Sequence, residues 1–335
     1  MSSREYLRQL PSHQRGPTSQ DLAFRMHIDA PLLAGLLAIM GYGMFILYSA
    51  GGEDFDLLLR QSMRFLVGFT AMFVLAQFPP RTFRFWTPAL YAIGLLMLVL
   101  VLVAGIEAKG AQRWLYIPGF GRFQPSEMMK LAVPALVAWF FRDRALPPSL
   151  WDVVVALTIV IIPALLIGSQ PDLGTALLIA LSGLVILFMA GLSWRIIGAA
   201  VAFVAVAAPM MYFHVMHDYQ RRRVDTFLNP EADPLGAGWN IIQSKTAIGS
   251  GGLFGKGWMD GSQSHLHFLP EGHTDFIIAA YSEEFGYIGV LVLIGLYLAI
   301  LVRAFQIATQ AQTAYARLLA GAITLSCFVY VFVKA

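Results

Sequence analysis

"DFIIAAYSEEFGYIGVLVLIGLYLAILVR", residues 275–303, decides the fold. From 275 to 302 the run is apolar for longer than the roughly 20 residues a helix needs to cross a hydrocarbon core. Backbone groups without partners are costly in lipid, so a run of this kind crosses as a helix. Yet it opens on Asp275 and carries Glu283 and Glu284 inside. Carboxylates within a span face the bundle interior, a wet cavity or a partner. Thr274 is a fitting N-cap, which would put Asp275 in the first helical turn. The two glutamates lie about 12–14 Å deeper, a depth that suits pairing inside the bundle.

Outward from this stretch the same pattern repeats. Further apolar runs fall near 30–50, 61–78, 85–105, 125–141, 152–169, 173–191, 195–214 and 318–333, making nine. The chain of 335 residues is 58% hydrophobic and 13% charged, with a mean hydropathy of +0.66. A soluble domain is nearer half apolar and a quarter charged. The expected fold is therefore all-α, a polytopic membrane helical bundle of nine spans. Residues 1–28 are expected to be a cytoplasmic tail, 29–335 the transmembrane domain, and about 215–274 a long extracytoplasmic loop between spans seven and eight. The formal net charge of +3 is too small to imply nucleic-acid binding. The single cysteine, Cys327, excludes an internal disulfide.

Basic residues set direction. Arg4, Arg8, Arg15 and Arg25 precede the first run, Arg81 and Arg84 follow the second, Arg142 and Arg144 the fourth, and Arg195 the sixth, while Arg303 and Arg317 bracket the loop after the eighth. Strict alternation puts all of them on one side, the cytoplasmic one. The opposite side receives segment 106–124, the turn "SQPD" at 169–172 and the long loop. It also receives Lys109, Arg113, Arg122, Arg221, Arg222, Arg223, Lys245 and Lys256. An anionic ligand accounts for cations on the disfavoured side; so does compensation by Asp218, Asp225, Glu231, Asp233 and Asp260 nearby.

Several residues on that side carry two readings. Glu127 and Lys130 in "FQPSEMMK" share a helix face, either as a polar wall of a site or as a structural ion pair. Asp172 begins the sixth run, where an aspartate also serves as a helix cap. "IGSGGLFGKGW", 248–258, fails the Walker spacing, because Ser250 stands at its first glycine and Gly257 at its hydroxyl position. A glycine turn remains, with or without Lys256 and backbone N–H groups meeting a phosphate. The pairs His214 and His217, and His265 and His267, lack further ligands, and no metal site is expected.

Together "GAQRWLYIPGFGRFQPSE" (110–127), "QPDLGTA" (170–176), "NPEADPLGAGWNIIQSKTAIGSGGLFGKGW" (229–258), "FLPEGHTDFI" (268–277) and "SEEFGYIG" (282–289) resemble the signature stretches of the SEDS family. The likeness runs from about 29 to 333 in order, and is nearer the family's elongation branch than its division branch. It implies a peptidoglycan glycosyltransferase of the bacterial inner membrane. Such an enzyme polymerises lipid II at the periplasmic face and releases undecaprenyl pyrophosphate. The implied partners are lipid II and undecaprenyl-linked glycan, a class B penicillin-binding transpeptidase, and membrane proteins of the elongation complex. The family's essential aspartate maps to Asp275, and its other motif residues to Arg113, Glu127, Lys130, Asp172 and Lys245. About ten spans are implied for a complete member. The proline-rich loop, "SYGG" motif and tenth span that follow "FVYVFV" are lacking here, so the chain is expected to be truncated at Ala335.

The expected chemistry joins a sugar C4 hydroxyl to an anomeric carbon. A pyrophosphate leaves without a proton, so one base suffices, and Asp275 is the candidate. Arg113, Lys245, Lys256 and the Arg221–Arg223 run are candidates for steadying the departing charge, with a divalent cation as an option. A lipid II flippase and a scaffold for the transpeptidase are the competing readings.

Overall fold

The computed structural model describes residues 27–334, apart from 109, 110, 118–120, 171, 215, 217, 235, 237, 262–273 and 275. Helices form at all nine apolar runs. They are α1 (Ala30–Ala50), α2 (Phe55–Ala76), α3 (Pro80–Ala104), α4 (Pro125–Phe141), α5 (Leu150–Gly168), α6 (Leu173–Met189), α7 (Trp194–His214), α10 (Ile277–Thr309) and α11 (Ala314–Lys334). Seven of them, α1, α2, α3, α5, α7, α10 and α11, are long and apolar enough to cross a membrane. The other two, α4 and α6, have 17 residues each, about 25 Å of helix. The molecule is a multi-pass membrane protein.

Two features modify the all-α expectation. Between α3 and α4 lies a small antiparallel sheet in the order β1 (Ile106–Ala108), β2 (Ala111–Ile117), β3 (Gly121–Phe123). Hydropathy marks 106–124 only as a segment between two apolar runs. Its β-forming residues Trp114, Leu115, Tyr116 and Ile117 pair across a hairpin instead. The long segment 215–274 also contains α8 (Asp218–Leu228) and α9 (Trp239–Ser250).

α4 is the hub. Met129, Ala132, Val133, Val137, Ala138 and Phe141 are buried against Leu98 of α3, Val160 and Ile167 of α5, Ile179 and Ile186 of α6, and Leu318 and Ala322 of α11. α2 and α7 bury no residue inside the molecule, leaving their apolar sides to lipid. Contacts between helix ends sort the molecule into two faces. On one face Asp29, the N-cap of α1, takes a bidentate pair from Arg303 of α10 at 2.6 and 3.0 Å. On that face too, Thr87 near the start of α3 meets Tyr315 near the start of α11 at 2.9 Å, and Arg144 after α4 pairs with Asp152 of α5. On the opposite face Gln170, after α5, donates to the Leu98 carbonyl at 2.9 Å.

α10 is broken within the apolar run. Gly286 stands at φ 62°, ψ −164°, a conformation that essentially only glycine adopts. The break frees backbone groups that lipid cannot satisfy. A hairpin after α9 takes them up. Lys256 and Gly257 N–H donate to the Glu283 and Glu284 carbonyls, both at 3.0 Å; Tyr287 and Ile288 N–H donate to the Gly252 and Leu253 carbonyls at 2.9 and 3.1 Å. The hairpin lies so close that a Cβ at Gly255 would collide with the Glu284 carbonyl. The α1 aromatics seal it: Phe45 stacks on Trp258 at 4.4 Å, and Tyr42 shares a 2.7 Å hydrogen bond with Tyr281.

Candidate functional site: a polar cluster at one membrane boundary

Arg113 sits at a bulge in β2. Trp114 pairs with Ile106 and Gln112 with Glu107, so the register slips around Arg113. A bulge re-aims a side chain away from the ladder. Here the guanidinium lies 3.5 Å from Asp172. Asp172 caps α6 by accepting from Thr175 N–H at 3.3 Å, and accepts from Gln124 at 3.2 Å. Gln124 also donates to Ser126 at 2.9 Å, in the first turn of α4. Three elements, β2, α4 and α6, thus bring Arg113, Gln124, Ser126 and Asp172 together. Asp172 keeps 12% of its side chain exposed and Arg113 26%, so the pair is shielded yet open to a ligand. Arg113 Nε is buried with no hydrogen-bond partner among the described residues.

Glu127, also in the first turn of α4, and Lys130, one turn on, stand 2.7 Å apart. Lys130 also faces the Tyr330 ring of α11, 5.5 Å from its centroid. Glu127 is 55% exposed, so the pair contributes little to stability.

The other candidates sit elsewhere. Lys256 is 2.6 Å from Glu283, which is fully buried; Glu284 accepts from Ser49 of α1. The glutamates inside the apolar run are thus paired within the bundle, as their depth implies. The Gly255, Lys256 and Gly257 N–H groups are all engaged, so the glycine hairpin presents no phosphate nest. Lys245 is exposed on α9. Arg221 donates to the Tyr212 and Phe213 carbonyls, both at 2.8 Å, steadying the end of α7. Asp275, with Glu271, His273, His217, His265 and His267, lies outside the described residues. α10 begins at Ile277 with Phe276 as its cap and no capping side chain, later than the expected Thr274 cap. Sequence reasoning missed Gln124, which joins α4 to α6; its signal is a polar amide directly before the N1 proline of "QPSE".

Residues 23–335 match the family model described as cell cycle protein, FtsW/RodA/SpoVE. The peptidoglycan glycosyltransferase MrdB of Escherichia coli K12 is 50% identical over 318 residues, covering 95% of this chain and 86% of MrdB. A probable peptidoglycan glycosyltransferase FtsW of Trichlorobacter lovleyi is 39% identical over 89% of this chain and 80% of its own length. Among solved structures, a chain from work on the coordination of polymerization and crosslinking by a peptidoglycan synthase complex superposes with a TM-score of 0.78. That chain is 32% identical, with 91% of this chain and 85% of that one covered. Thermus thermophilus RodA superposes with a TM-score of 0.65 at 29% identity, over 91% and 83% of the two chains. The chain belongs to the FtsW/RodA/SpoVE family.

Proposed function

We propose that this protein is a peptidoglycan glycosyltransferase that polymerises lipid II into glycan strands during cell elongation and releases undecaprenyl pyrophosphate. The observation that carries the reading is the 50% identity to a peptidoglycan glycosyltransferase along 95% of the chain. The geometry supports it with a shielded, cation-bearing cluster at one end of the bundle, where a lipid-linked sugar presents its pyrophosphate.

Nine spans, a cytoplasmic N-terminus and a periplasmic Arg113–Asp172 face are part of the proposal. The nine helices and the sorting of their ends into two faces support it, as do the arginines gathered on the Asp29 face. In the reaction Asp275, two positions before α10 in the chain, takes the proton from the acceptor C4 hydroxyl. The oxygen attacks the anomeric carbon, and the bond to pyrophosphate breaks. Pyrophosphate carries the departing electron pair without needing a proton. Arg113 and Lys130 meet the growing negative charge, while Asp172, itself bonded by Gln124, fixes Arg113 in place. Lys245 supplies a further exposed cation. Lys256 acts through the hairpin it pins. Among the described residues no three His, Cys, Asp or Glu side chains converge, and no step here runs through a metal.

A class B penicillin-binding transpeptidase is the proposed partner, supported by the likeness to a chain of a synthase that coordinates polymerization with crosslinking. Incubating the purified protein with lipid II tests the reading: glycan polymer is the expected product. Redistribution of lipid II between leaflets without polymer would make it a flippase, and neither outcome would make it a scaffold.

A further inference from the structure

On the face opposite the Arg113–Asp172 cluster, a cavity of about 870 Å³ opens between the start of α3 and the end of α4. Arg81, Arg84, Phe85, Trp139, Arg142 and Asp143 line it. Three cations thus face one anion. Arg142 is held rigidly: its Nε lies 2.7 Å from Asp143, its Nη1 donates to the Trp139 carbonyl at 2.9 Å, and its guanidinium rests 3.9 Å from the Trp139 ring. Arg81 and Arg84 are exposed and form no ion pair among the described residues. Nothing in the Arg113–Asp172 site or in the broken helix uses this cavity.

We infer that this cavity binds the headgroup of an anionic phospholipid, and best one with two phosphates. The excess of cations calls for an anion, and the position at a helix end calls for one at headgroup depth. The mouth of the cavity is apolar as well as cationic. Phe85 and its neighbour Trp86 are 75% and 61% exposed on a helix whose later turns are fit to lie in hydrocarbon. The occupant must therefore be acidic at one end and oily at the other, and aromatic rings at the interface suit that boundary. An acidic protein segment satisfies only the first demand. The planar, fixed guanidinium of Arg142 matches a phosphate bidentately.

The test is lipid retention, read by native mass spectrometry of the purified protein. The protein is offered equal amounts of diphosphatidylglycerol, phosphatidylglycerol and phosphatidylethanolamine. The two-phosphate lipid should be retained most and the zwitterionic lipid least. Each arginine at a charged surface is worth about a fivefold change in affinity. Arg84→Gln alone should weaken retention about fivefold, and the Arg81→Gln, Arg84→Gln, Arg142→Gln triple variant on the order of 100-fold. Arg195→Gln, on the same face but outside the cavity, should change nothing. Circular dichroism and elution volume establish that each variant folds; should the triple variant fail, the single Arg84→Gln decides. Equal retention of all three lipids, or retention indifferent to Arg84→Gln, overturns the inference. So does a glutamate-rich peptide that binds in the same variant-sensitive way while diphosphatidylglycerol does not.

Discussion

Asp172 does two jobs with one carboxylate, and the two are separable. As the cap of α6 it accepts from Thr175 N–H, and as an acceptor for Gln124 and partner of Arg113 it fixes the cluster. Asparagine caps a helix about as well as aspartate but carries no charge for Arg113. Asp172→Asn should therefore keep the melting temperature close to the parent's while polymerisation falls on the order of 100-fold. Asp172→Ala should lose activity and about 1 kcal/mol of stability as well. A thermal shift as large for asparagine as for alanine would assign Asp172 to capping alone. Glu283 is a different case, since it is fully buried and held by Lys256. Removing one partner of a buried pair costs about 3–5 kcal/mol; Lys256 keeps 31% of its side chain exposed, so Glu283→Gln should lie at or below the lower end. Replacing both, Glu283→Gln with Lys256→Met, should recover much of that loss. Thermal unfolding in detergent reads both variants.

At the scale of elements, the break in α10 governs the face it lies on. Four backbone hydrogen bonds across Gly286 stand in for helical ones, so the hairpin and the helix depend on each other. A Cβ at Gly286 would meet the Leu253 carbonyl group at 2.8 Å, in a backbone conformation closed to other residues. Gly286→Ala should destabilise by at least about 3 kcal/mol. On the same helix Gly295 has nothing within 4 Å of a Cβ, and Gly295→Ala should be neutral or stabilise by up to about 1 kcal/mol. Similar losses at both positions would mean that the break is not a requirement of the fold. The sequence showed five glycines and a lysine in 248–258 and two glutamates in 283–284, but not that these stretches meet. Their union rests on backbone groups, which leave no pattern in side-chain spacing. The β2 bulge that aims Arg113 was equally silent, since a register slip has no signature in a single strand.

For the whole molecule, hydropathy alone located the nine long apolar helices among the described residues, because a lipid environment forces backbone pairing into the run itself. Arginine placement predicts two faces, and the contacts Asp29–Arg303 and Arg144–Asp152 lie among the cations it groups on one of them. What spacing could not give is which helices meet. α4, the most buried helix, reads no more apolar than its neighbours. The first and eighth apolar helices are clasped by Asp29 and Arg303. The Asp29 carboxyl is held below its ordinary value of 3.8, chiefly by the hydrogen bond from Arg303, with the Leu32 N–H adding and burial opposing. A carboxylate with a lowered folded-state pKa stabilises above its unfolded value, and that contribution fades as pH falls through the folded value. The melting temperature should thus drop as the pH goes below about 4. Asp29→Asn should already be less stable at pH 7 and should show a shallower acid dependence. Parallel acid profiles for parent and variant would exclude the clasp from the acid response.

The central claim is that this chain makes glycosidic bonds with Asp275 as the base. Purified parent and Asp275→Asn proteins incubated with lipid II, and resolved on a gel for glycan polymer, test it most directly. The account predicts long glycan from the parent and none from the variant, with lipid II still bound by both. Near-normal polymer from Asp275→Asn would contradict the base assignment, and no polymer from the parent would contradict the enzyme.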